Sequence, residues 1–92
     1  MLAQDMTITR DAFLRCLPAA VDQVEFRVGD GDIRPLDPAG GWRIRLTELS
    51  ELRIGLIRLA RHRVEIFLAG HDEAATRRFV DRFELYYRRG GG

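Results

Sequence analysis

In residues 23–46 and again in 62–68 apolar and polar side chains alternate in short runs, the earlier ones separated by Gly, Pro and Asp, and this builds the chain's centre around a sheet. Gln23-Val24-Glu25-Phe26-Arg27-Val28 places Val24, Phe26 and Val28 on one face. Trp42-Arg43-Ile44-Arg45-Leu46 repeats the pattern, as does His62-Arg63-Val64-Glu65-Ile66-Phe67-Leu68. Alternation with a period of two describes a strand with one covered face and one solvated face. Asp30-Gly31 between the first run and Ile33–Leu36 signals a hairpin, because Gly accepts positive φ. Pro35 lacks an N–H, which predicts that the returning strand lies at a sheet edge. Asp37-Pro38-Ala39-Gly40-Gly41 reads as the next turn.

Helical patterns flank this stretch. Thr9 caps a segment whose Phe13, Cys16, Leu17 and Ala20 share one stripe, and Pro18 should weaken or kink it. Asp72 and Glu73 open a second helix with Ala75, Phe79, Val80, Phe83, Tyr86 and Tyr87 on one broad face. Arg88 and Arg89 suit its last turn, and Gly90-Gly91-Gly92 its end. The expected order is therefore α-β-β-β-(β)-β-α. This is a single α+β domain, a two-layer sandwich of an antiparallel meander sheet of four to five strands with both helices on one face. Residues 1–6 and 90–92 read as loose ends.

Residues 47–61 fit two descriptions. Leu49, Leu52, Leu56 and Leu59 fall at spacings of 3, 4 and 3, which suits a helix. Leu52, Ile54 and Leu56 alternate with Arg53 and Gly55, which suits a strand. The β-branched Ile54 and Ile57 and the interior Gly55 favour the strand.

Composition narrows the chemistry. All 15 basic residues are Arg, balanced by 14 acids for a net charge of +1. With no Lys there is no Schiff-base amine and no phosphate-loop lysine. Exclusive use of Arg suits a GC-rich genome of bacterial type. Ser50 is the single serine, so a serine triad is poorly supplied. Cys16 is the single cysteine, which excludes an internal disulfide and a cysteine zinc cluster and points to a reducing, cytoplasmic setting. No apolar run reaches the length of a membrane span. His62, His71, Asp72 and Glu73 lack the spacing of a metal site, and Asp30 and Asp32 lack the other ligands of a calcium loop. The sequence thus offers no catalytic, cofactor-binding or metal-binding residues, and no cofactor is expected.

Two binding surfaces remain. The first is an uncovered apolar patch at Leu56, Ile57, Leu59 and Phe67, suited to a protein partner or a homodimer. The second is an arginine stripe of Arg43, Arg45, Arg53, Arg58, Arg61 and Arg63, suited to nucleic acid or another polyanion. The helix–sheet–helix order is similar in topology alone to double-stranded RNA-binding domains. Asp72 and Glu73 stand where that family carries a lysine cluster. The leading expectation is a non-catalytic protein-interaction module, self-associating through its sheet or segment 52–59, and the polyanion binder is the alternative. No particular small-molecule ligand is indicated.

Overall fold

A computed structural model describes residues 2–90, with side chains through residue 87, so the expectation for Gly91 and Gly92 lies outside the described residues. The order is β1 (Leu2–Met6), α1 (Arg10–Ala20), β2 (Phe26–Val28), β3 (Asp32–Pro35), β4 (Trp42–Ile54), β5 (Ile57–Leu68) and α2 (Glu73–Gly90). The strands form one antiparallel sheet in the order β1-β5-β4-β3-β2. The expected α+β class with N- and C-terminal helices is what the chain adopts.

Local chemistry sets the element ends. Thr9 Oγ1 accepts the Ala12 N–H at 3.1 Å, and Asp72 Oδ1 accepts the Ala75 N–H at 2.7 Å, so each helix begins at the cap its sequence announced. Helix α1 runs two residues past Pro18 and closes through Gln23 N–H to the Pro18 carbonyl at 2.7 Å. That closure places Asp22 and Gln23 in the left-handed region, at φ 56° and 62°.

Two expectations are corrected. Residues 2–6 are not a loose end: they form β1, with Leu2 opposite Ile66 and Met6 opposite His62. The segment is short and has no clean alternation, so only the free edge of β5 defines it as a strand. Pro35 does not mark an edge strand, because β3 lies between β2 and β4 and the edge is β2. Proline is tolerated there because β4 pairs only with Asp32 and Ile33, leaving no acceptor opposite residue 35.

The core lies between the helices and the inner face of the sheet. Phe13 and Leu17 of α1 and Phe83 and Tyr87 of α2 meet Ile33, Trp42, Ile44, Leu46, Val64 and Ile66. Phe13 stacks on Tyr87 with ring centroids 4.7 Å apart. The Tyr87 hydroxyl donates to the Phe13 carbonyl at 2.7 Å, joining the two helices. Of the strand expected at 23–28, only residues 26–28 pair, and Val24 and Val28 are exposed rather than inward. β2 is a short edge of which Phe26 alone packs against the core.

Candidate interaction surface

Residues 47–61 form no helix. They are the distal halves of β4 and β5, joined by a two-residue turn at Gly55-Leu56. Gly55 has φ 60°, the conformation that the first position of a type II′ hairpin turn requires. β1 pairs with β5 only between His62 and Ile66, and β3 pairs with β4 only at Ile44 and Arg45. Beyond those points two strands continue alone as an arm. At about 3.3 Å per residue the arm extends roughly 25 Å from the body. It accounts for the molecule's elongation, 45 × 25 × 21 Å.

A β-bulge shapes the arm. The register steps from Leu49 opposite Arg61 to Leu52 opposite Leu59, three residues on β4 against two on β5. The extra residue preserves facing. Leu49, Leu52 and Ile54 therefore share one side of the arm with Ile57 and Leu59. Their opposite side is polar: Glu51 Oε1 lies 3.3 Å from Arg53 Nε and 3.9 Å from Arg58 Nε.

Solvent reaches the apolar side. Ile54 and Ile57 are each 58% exposed, Leu52 is 39% exposed, and Leu56 at the tip is fully exposed. No hydrophobic residue from position 49 to 59 belongs to the core or packs against it. Monomeric proteins seldom leave such a contiguous apolar strip open unless it contacts something else.

Of the four residues expected at an interface, Leu56, Ile57 and Leu59 lie on the arm, and Phe67 does not join them. It sits ten residues along β5, roughly 33 Å away. Its ring is covered by Arg43, whose guanidinium carbon lies 4.3 Å from the ring centroid. Phe67 and Arg43 line an open groove of about 440 Å³ with Trp42, Pro35 and Pro38. Leu52 and Ile54 fall within the segment 52–59 that the sequence singled out, whereas Leu49, which shares their face, lies outside it. Its signal was present as cross-strand pairing, but the bulge disguised it.

The arginine stripe is divided. Arg43, Arg45, Arg61 and Arg63 belong to the face of β4 and β5 that carries Leu49, while Arg53 and Arg58 lie on the opposite side of the arm. Most of these cations already have partners. Arg63 Nε donates to Asp5 Oδ1 at 2.9 Å, a bond that holds the Asp5 carboxyl below and the Arg63 guanidinium above their ordinary ranges. Arg43 lies 3.9 Å from Asp32 Oδ2, and Arg61 donates to the Ser50 carbonyl at 3.3 Å. Arg45 is exposed and makes no ion pair among the described residues; Glu65 and Asp32 are its cross-strand neighbours.

The remaining reactive side chains have structural roles. His62 is buried, and its Nδ1–H donates to the Ile8 carbonyl at 2.8 Å, fastening the β1–α1 connection to β5. The His71 ring nitrogen Nδ1 donates to the Ala69 carbonyl at 3.1 Å. Cys16 is half-buried beside the core. Among the described residues no three His, Cys, Asp or Glu side chains converge as metal ligands, and no helix is long and apolar enough to cross a membrane. No protein-family model matches the sequence, and no curated protein shows significant similarity to it.

Proposed function

We propose that this protein is a small non-catalytic interaction module that meets another polypeptide through the apolar face of its hairpin arm, in a cytoplasmic setting that suits its unpaired thiol. One observation carries the reading. Leu52, Ile54, Leu56 and Ile57 are lifted clear of the core, where they stabilise the monomer only through cross-strand contacts while exposing apolar surface to water. An anion-binding role has less behind it, because Asp5, Asp32 and Glu51 engage Arg63, Arg43, Arg53 and Arg58.

Photo-crosslinking in living cells tests the proposal. A photoreactive residue at position 57 should yield discrete protein adducts, and the same residue at the exposed Ala74 of α2 should not. Equal yields at the two positions, or none at position 57, would overturn it.

A further inference from the structure

We infer that the occupant of the arm's apolar face is the same face of a second copy, the two arms stacking antiparallel about a two-fold axis through their middles. This rests on the reading of the arm as an interaction surface, and four features single out a second copy.

The first is composition. From Leu52 to the tip the face carries only aliphatic side chains, and the arm's charges there, Glu51, Arg53 and Arg58, lie on the other side, where Glu51 pairs with both arginines. A charged partner finds nothing to grip there. A pleated aliphatic face matches best another sheet of the same pleat and twist, stacked at about 10 Å.

The second is the missing layer. A two-stranded hairpin is marginal by itself in water and becomes stable when its apolar side is packed. In the body the helices pack on the opposite face of the sheet, and over the arm's apolar face nothing in the described chain packs. A symmetric dimer provides both missing layers at once, since a two-fold interface uses the same patch twice.

The third is electrostatic. Arg61, at the arm's base, is the one charge level with Leu49 on this face. Antiparallel stacking places the two Arg61 side chains at opposite ends, roughly 17 Å apart, beyond the screening length of about 8 Å at physiological salt. The tip residue Leu56 then lies over the aliphatic stems of the other copy's Arg61 and Arg63. Their heads are already held by Ser50 and Asp5, which leaves the stems available as apolar surface.

The fourth is area. Stacking these faces buries on the order of 1,000 Å² in total, the lower bound of a specific interface, which fits a reversible dimer and not an obligate one.

Sedimentation velocity of the purified full chain over a wide concentration range should show a monomer–dimer equilibrium with a plateau at twice the monomer mass. Leu52→Glu and Ile57→Glu should each raise the concentration for half-dimerisation at least tenfold while leaving the thermal midpoint of the dilute protein nearly unchanged. In a Cys16→Ala background, Leu52→Cys should form a disulfide-linked dimer on mild oxidation, because Leu52 faces its own copy across the axis. Arg53→Cys, one residue on and on the opposite side, should not. Equal cross-linking at 52 and 53, or mass rising past two copies, would overturn the antiparallel stack. A monomer at every concentration would overturn self-association, and adducts at position 57 in cells would then leave the broader interaction reading standing. Without those adducts both would fail.

Discussion

The same two strands make both the best-buried and the least-buried parts of this molecule. In the body, Trp42, Ile44 and Leu46 of β4 face Val64 and Ile66 of β5, and none of the five is more than 9% exposed. A few residues further along the same strands, Ile54 and Ile57 face each other at 58% exposed. The residue types are alike, but the bulge at 50–51 interrupts the pairing between the two regions. What differs is the face: α1 and α2 pack on the side that carries Trp42, Ile44, Val64 and Ile66, whereas Ile54 and Ile57 lie on the opposite side of the sheet, over which nothing in the described chain packs. Alternation reports which side chains share a face, and it carries no information on whether another layer lies over that face.

This contrast can be broken at several points. The largest effect belongs to the core. Phe83→Ala should cost about 3–5 kcal/mol in chemical denaturation, since Phe83 is 1% exposed between Phe13 and Tyr87. A loss below about 1 kcal/mol would mean the body is as loosely covered as the arm.

Two glycines sharpen the comparison. Gly41 in the body and Gly55 in the arm both have left-handed φ, 74° and 60°. A Cβ at Gly41 would lie 2.6 Å from the Ala69 carbonyl oxygen, whereas one at Gly55 would meet nothing within 4 Å. Gly41→Ala should therefore cost about 2–3 kcal/mol, combining strain with collision, and Gly55→Ala about 1 kcal/mol from strain alone. Equal losses in paired denaturation curves would remove the distinction.

Tyr87→Phe should cost about 1 kcal/mol by deleting the hydroxyl bond to Phe13. It should also change the alkaline limb of stability. Burial, with a smaller contribution from Cys16, pushes the Tyr87 hydroxyl well above its ordinary range. Below a pH of about 10 tyrosine is neutral in both states and its contribution is complete. Above that the unfolded chain releases the proton first, so stability falls as pH rises. The phenylalanine variant should lack that part of the decline, as thermal midpoints from pH 8 to 11 would reveal.

The smallest effect is expected on the arm. Ile54→Lys combined with Ile57→Glu should change the stability of the dilute protein by less than about 1 kcal/mol, measured by the same denaturation. A loss comparable to that of Phe83→Ala would show the arm to be structural.

Much of the fold was legible. The caps at Thr9 and Asp72, the inward set Trp42-Ile44-Leu46 and Val64-Ile66, and the hairpin at Asp30-Gly31 all follow from local chemistry, and each appears where the residues place it. The arm was legible in part. Leu49, Leu52, Leu56 and Leu59 imitate a helix because the bulge at 50–51 inserts one residue and the turn at 55–56 reverses the chain. Neither device leaves a clear mark in leucine spacing. Phe67 illustrates the opposite case, an apolar residue on the outer face that a neighbouring arginine covers within the same chain. The arginine stripe failed to appear as one surface because Arg53 and Arg58 fall on the polar side of the arm.

By itself the sequence determined the local things: the period of each segment, the caps, the glycine turns, and the absence of lysine chemistry. These depend on interactions within a few residues, which is the range over which a linear pattern carries information. Tertiary structure alone decided that residues 2–6 complete the sheet, that β3 is interior, and that the apolar side of the arm falls on the sheet face away from the helices. Those outcomes depend on which surfaces meet across the chain, and burial is a property of the meeting and not of either surface alone.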